Sequence, residues 1–320
     1  MWLYIVIGIL LLLVIAAFCA VGVIFFGALH RTKSKKRKGG GIDTSVLFPA
    51  LDAYRDVIDE GRAWYLSQPR RSVQITSDDG LKLHAEILEA ENPVGVVMLV
   101  HGYRSSGAHD FSTVFRFYHE NGFHIVVPDA RACGKSEGNY ITLGVKERYD
   151  CKRWAEFTVR TYPDLPILLD GISMGAATVL MATALDLPEN VRGVIADCGF
   201  TSPWDIMRSV LKATGSLPVF PFAYIAKLYS RVFAGFGLCE ASTVDAMKTC
   251  KLPVFFAHGK ADIFVPYEMS VRAYKACASD KEFFSVDEAG HGMCYLLQKE
   301  EYEKRIAAFL DKHFSIKISV

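Results

Sequence analysis

The amino-acid sequence predicts an α/β fold, a mostly parallel sheet covered by helices on both faces, with a helical insertion late in the chain and an apolar helix at the N-terminus. Three observations lead there. Short continuous apolar runs recur along the chain, separated by helical stretches, the pattern of strands buried on both sides. Polar and glycine-rich residues gather at the carboxyl ends of those runs, where sheets of this kind bind ligands. Residues Trp2 to Leu29 contain no charged side chain and no histidine.

A helix over Trp2–Leu29 would run roughly 42 Å at about 1.5 Å per residue, longer than a hydrocarbon core of about 30 Å. Residues 1–29 are therefore expected to form a retained single-pass membrane anchor. A cleaved signal peptide needs a basic start and a short apolar run, and neither is present. Ala17-Phe18-Cys19 resembles a lipoprotein cleavage site, but the bulky Phe18 argues against cleavage there. Six Lys or Arg residues follow between Arg31 and Lys38, then Gly39-Gly40-Gly41, so residues 30–43 read as a basic, glycine-rich linker. The positive-inside rule places the remaining body, 44–320, in the cytoplasm, and the linker is expected to meet anionic membrane lipids.

Within the body, Thr44 to Ser67 reads as an amphipathic helix capped by Thr44, with Leu47, Leu51, Tyr54, Ile58 and Trp64 near helical spacing. Val73–Thr76 and Leu81–Leu88 read as antiparallel strands joined through Asp78-Asp79-Gly80. Buried strands follow at Val94–Val100, His124–Val127, Ile167–Leu169, Val194–Ala196, Val254–Ala257 and Phe283–Val286. Between Cys198 and Pro253 the chain is longer than a simple crossover needs, and residues about 201–250 are expected to form a helical cap. The apolar side chains from Leu217 to Phe236 would line an acyl site beneath it, or pack the cap's own underside.

A net charge of +1 over 320 residues gives no global reason to expect nucleic acid. The eight cysteines form no Cys-x-x-Cys pair and the nine histidines no His-Glu-x-x-His motif, so neither a metal nor another cofactor is expected.

The chemistry concentrates in three loops. Gly171-Ile172-Ser173-Met174-Gly175 follows an apolar strand and opens a helix, the setting of a nucleophile elbow. Such a turn strains the serine backbone and requires small neighbours two positions away, here both glycine. A serine hydroxyl needs a base, and His291, in Ala289-Gly290-His291-Gly292, follows the last strand in a loop of small residues. His101, His109, His119 and His258 are the competitors; His101 and His258 end strands before glycine and are expected to shape loops. Asp262, just beyond the penultimate strand, would orient the imidazole, with Asp197, Asp287 and Glu288 as alternative acids. Acyl transfer also needs oxyanion donors, expected to be the backbone N–H groups of Met174 and Tyr103.

Taken together, His101-Gly102-Tyr103, Pro128-Asp129-Ala130-Arg131 through Gly138, the elbow, Ala196-Asp197-Cys198-Gly199, His258-Gly259-Lys260-Ala261-Asp262 and Gly290-His291-Gly292 resemble the bacterial α/β-hydrolases of the serine aminopeptidase-like or acylglycerol-lipase-like type. The resemblance runs from about residue 70 to the C-terminus, and Ala132-Cys133 departs from the Gly-His type of pair expected after the arginine. It implies an α/β-hydrolase fold and serine-dependent hydrolysis through an acyl-enzyme. The expected activity is cleavage of carboxylic esters with an apolar acyl group. A peptidase or amidase would use the same triad, and a catalytically silent, membrane-tethered binding module is the alternative from a different class.

Overall fold

Among the residues described by this computed structural model, 1–31, 49–214 and 218–319, eight strands form one sheet. They are β1 (Arg71–Thr76), β2 (Lys82–Leu88), β3 (Gly95–Val100), β4 (Phe123–Pro128), β5 (Ile167–Ile172), β6 (Val191–Asp197), β7 (Val254–Gly259) and β8 (Lys281–Val286). Their order is β1-β2-β4-β3-β5-β6-β7-β8. β2 is antiparallel to both of its neighbours, and from β4 onward the sheet is parallel. The β1–β2 turn closes through Gly80 at φ 85°, a conformation glycine adopts without a Cβ clash.

The apolar runs are continuous because both faces are buried, and alternate residues serve opposite cores. In β3, Val97 and Leu99 join one core with Phe115, Tyr118, Tyr302 and Phe309, while Val96 and Met98 join the other with Trp154, Val179 and Leu180. Helices Arg55–Ser67, Phe115–Glu120 and Lys299–Phe314 cover the first face; Glu147–Thr161, Met174–Ala182 and Tyr267–Ala276 cover the second.

Two expectations need correction. The amphipathic segment is not one helix from Thr44 but a 3-10 turn at Pro49–Tyr54 followed by an α-helix at Arg55–Ser67. Pro49 has no N–H to give and would sit inside a helix begun at Thr44. Thr44 itself, like the basic and glycine-rich residues 32–43, lies outside the described residues. The second concerns the insertion between β6 and β7, which holds helices Pro203–Thr214, Val219–Phe233 and Thr243–Met247. Only part of its apolar surface turns inward: Phe220, Tyr224, Leu228, Val232 and Phe233 are exposed, and Tyr229 turns to the N-terminal helix. Phe236 does face inward, beside Met174 and Val265. Leu217 is outside the described residues.

The N-terminal helix, Trp2–Leu29, has the length and apolarity of a membrane span. Most of its first sixteen residues are exposed, and Val21, Phe25 and Leu29 are buried against the body. Its end is held by backbone as well as packing. Ile141 N–H donates to Leu29 O at 2.9 Å, and Arg31 N–H donates to Asn139 O at 2.7 Å. The Arg31 guanidinium donates to the carbonyls of Gly134, at 2.8 Å, and Ser136, so this first member of the basic cluster is docked on the loop after β4.

Candidate active site

Ser173 stands between β5 and helix Met174–Ala182 with φ 58° and ψ −115°, a strained elbow. The need for its two glycines is steric. A Cβ at Gly175 would lie 1.8 Å from the Val100 carbonyl oxygen, and one at Gly171 would lie 2.4 Å from that of Gly175. Ser173 N–H donates to Asp197 O at 2.8 Å, tying the elbow to the end of β6.

The three loops meet. His291 Nε2 lies 2.8 Å from Ser173 Oγ, and His291 Nδ1 lies 2.7 Å from Asp262 Oδ2. Because Nδ1 faces a carboxylate it carries the proton, which leaves Nε2 to accept from the serine hydroxyl. Asp262 is buried, and its Oδ1 accepts from the N–H groups of Phe264 and Val265 at 2.8 and 2.9 Å. Burial alone would raise its carboxyl; the hydrogen bonds and charges of His258 and His291 outweigh that and hold it well below the ordinary carboxylate range. A glycine brings the β7 end against the His291 loop, since a Cβ at Gly259 would lie 2.1 Å from Ala289 O.

The expected oxyanion donors border the same serine. Met174 begins its helix, so its N–H has no intrahelical carbonyl to meet. Gly102 runs so close that its Cβ would lie 3.4 Å from Ser173 Cβ, and its own N–H is taken by Asp110 Oδ2 at 2.7 Å. Tyr103 is the next N–H along. Its hydroxyl donates to Ala28 O in the N-terminal helix, so the side chain serves packing.

The other candidates fall away by position. His101 donates from Nδ1 to Gly102 O at 2.7 Å and accepts at Nε2 from Ala130 N–H at 3.0 Å, pinning two loops together. Asp287 pairs with Lys260 at 2.6 Å on the surface, and Glu288 is exposed. Asp197 is buried, and its Oδ1 finds no hydrogen-bond partner among the described residues. Burial pushes its carboxyl up to about 6, against the pull of His258 and His291. At the Ala132-Cys133 departure, Ala132 adopts φ 61°, and Arg131 is fixed by Asp150, at 2.7 Å twice, and by Asp79.

Two contacts escaped sequence reasoning. His258 Nε2 lies 3.1 Å from Asp262 Oδ2, so two histidines share one carboxylate oxygen. The four-residue spacing across a tight turn is the signal that could have found it. Cys198 Sγ lies 3.8 Å from His291 Nε2. Cys198, Asp262 and His291 offer donor atoms within 4.8 Å of one another. Two of these already serve the serine chain, however, and burial pushes the Cys198 thiol well up, away from the thiolate a metal takes.

Beneath the elbow, on the face of Tyr118, lies a buried acid outside the hydrogen-bond chain of Ser173, His291 and Asp262. Burial pushes the Asp170 carboxyl up to about 7, and the Tyr118 hydroxyl, donating at 2.7 Å, offsets this only in part. A carboxyl raised on folding contributes stability that is complete below its unfolded value near 4 and is lost as pH rises through about 7, at about 1.4 kcal/mol per unit. Asp170→Asn is therefore expected to raise the melting temperature relative to the parent at pH 8 and to change it little at pH 4. Equal shifts at both values would show that Asp170 is not protonated in the fold.

The sheet order with its antiparallel β2, the elbow after β5 and the histidine after β8 define the α/β-hydrolase fold. Residues 91–228 match the family described as serine aminopeptidase, S33, a stretch that includes the elbow and stops before Asp262 and His291. The chain is 22% identical over 298 residues to YqkD of Bacillus subtilis, covering 93% of this chain and 94% of that one. It superposes on the Pyrococcus furiosus esterase Pf2001 with a TM-score of 0.63 at 26% identity, covering 78% and 94% of the two chains. It shares its fold with the acylaminoacyl peptidase of Pyrococcus horikoshii, at 17% identity and a TM-score of 0.54, covering 78% of this chain and 42% of that one.

Proposed function

We propose that this protein is a membrane-anchored serine hydrolase that cleaves carboxylic esters with an apolar acyl group. The observation that carries the reading is the unbroken hydrogen-bond chain from Ser173 Oγ through His291 to Asp262, built on a strained elbow. His291 Nε2 takes the hydroxyl proton as Ser173 Oγ bonds to the ester carbonyl carbon, and the negative charge on the carbonyl oxygen is met by the N–H groups of Met174 and Tyr103. Collapse of that adduct breaks the bond to the alcohol oxygen, which receives the proton from His291, and leaves an acyl-serine. Water, deprotonated by the same nitrogen, then releases the acid and restores Ser173. Asp262 stays ionised throughout and stabilises the imidazolium.

The likeness to an esterase at 26% identity favours an ester over an amide. The aminopeptidase family description favours the second reading, a peptidase with the same triad. That reading also asks for carboxylates to hold a peptide terminus, but Asp245 is paired with Lys248 at 2.6 Å and Glu240 accepts from Gly237 N–H at 2.9 Å. The anchor is proposed to place the catalytic body on the cytoplasmic side, following the basic residues between Arg31 and Lys38.

The test is kcat/KM for acetyl through dodecanoyl esters beside aminoacyl anilides, on the full chain in detergent. At about 0.8 kcal/mol per buried methylene, each added carbon is expected to raise specificity by roughly fourfold until the acyl site is full. A maximum at acetyl would overturn the apolar-acyl reading. Faster cleavage of anilides than of any ester would put the peptidase in its place.

A further inference from the structure

We propose that helix Val219–Phe233 lies on the membrane surface beside the N-terminal helix, its outer face set into an anionic bilayer. The proposal rests on the reading of Trp2–Leu29 as a membrane span. The helix leaves Tyr224, Leu228 and Val232 exposed at positions i, i+4 and i+8, one continuous stripe, with Val232 63% exposed. Phe220, at a kink where the backbone leaves helical geometry, is 75% exposed. A stripe of this size facing water is costly, and its borders are basic: Lys227 and Arg231 are present, and the segment contains no Asp or Glu.

Position in the bilayer follows from the span. Trp2 and Tyr4 mark one interface, and a core of about 30 Å takes up about 20 residues, so the other interface falls near residue 22. Helix Val219–Phe233 is fastened at that level. Tyr229 hydroxyl donates to Phe18 O at 3.0 Å, a Cβ at Gly22 would lie 3.2 Å from the Tyr229 ring, and the rings of Phe26 and Phe233 lie 5.3 Å apart. The span cannot sit in lipid without bringing this helix to the depth where acyl chains meet headgroups. The same docking fixes the orientation of the site. Arg104, next to the oxyanion loop residue Tyr103, donates to Gly27 O at 2.6 Å and to His30 O at 3.0 Å, so the carboxyl ends of the strands, where Ser173 stands, are turned to the membrane.

The experiment uses the full chain with its exposed cysteines removed (Cys19→Ser, Cys239→Ser) and one NBD-labelled cysteine introduced by Leu228→Cys, Leu10→Cys or Lys275→Cys. Each protein is placed in nanodiscs of phosphatidylcholine and phosphatidylglycerol. The Leu228 probe is expected to be quenched more by lipid carrying doxyl near the headgroup than near the chain end, the Leu10 probe the reverse, and the Lys275 probe by neither. A Leu228 probe in water beside a quenched Leu10 probe overturns the docking and leaves the span standing. Both probes unquenched overturns the span and the docking together. Shielding of the Leu228 probe without doxyl quenching, with cross-linking between copies of the Leu228→Cys chain, assigns the stripe to a second copy instead, and a Lys275 probe quenched as strongly as the Leu228 probe also overturns the proposal.

Discussion

Ser173→Ala is expected to lower turnover by roughly a million-fold and to abolish labelling by a fluorophosphonate probe. The fold should be unchanged, because alanine meets the same φ of 58° with the same Cβ and loses only the hydroxyl. Ser173 N–H still reaches Asp197 O, and the glycine contacts around the elbow do not involve Oγ. No neighbour takes over: the Cys198 thiol lies 3.8 Å from His291, but burial keeps it protonated and unreactive. Turnover and probe labelling of the purified variant, with its melting temperature as the control for folding, decide the matter. Full activity would end the serine mechanism.

The second large effect is expected at Asp262. Asp262→Asn should cost on the order of ten-thousand-fold in kcat, because it inverts the hydrogen bonding around His291 rather than merely removing a charge. The Phe264 and Val265 N–H groups, at 2.8 and 2.9 Å, select the amide oxygen for the Oδ1 position. The amide NH2 then faces His291 Nδ1, which must give up its proton and accept. The proton moves to Nε2, and the nitrogen that should receive the serine proton is blocked. The companion Asp197→Asn should leave kcat nearly intact, since Asp197 Oδ1 reaches no histidine. The reverse pattern, Asp197→Asn damaging and Asp262→Asn harmless, would move the acid to the end of β6.

Much of this is legible in the sequence, and the reason is locality. The alternation that sends Val97 and Leu99 to one core and Val96 and Met98 to the other is a property of one strand, as is the strand-turn-helix context of Ser173. The chain order Ser173, Asp262, His291 needed only loops placed after successive strands of a parallel sheet, whose carboxyl ends lie on one edge by construction. The apolar helix Trp2–Leu29 was legible for the same reason, as length and composition of one segment.

What the tertiary structure decided were the choices among residues of equal local standing. Asp197 and Asp262 both end or follow a strand, and only the closure of the Gly259 turn on Ala289 gives Asp262 to His291. His258 was read as a loop residue and also reaches the Asp262 carboxylate, a meeting set by the turn that follows β7. The aromatic segment from Tyr224 to Phe233 shows the limit most plainly. Its helical spacing states that it has an apolar face, but not whether that face meets a core, a substrate or lipid. The contact of Tyr229 with the N-terminal helix was likewise out of reach, because packing between segments two hundred residues apart is a property of the assembled surface and leaves no mark on the periodicity of either one.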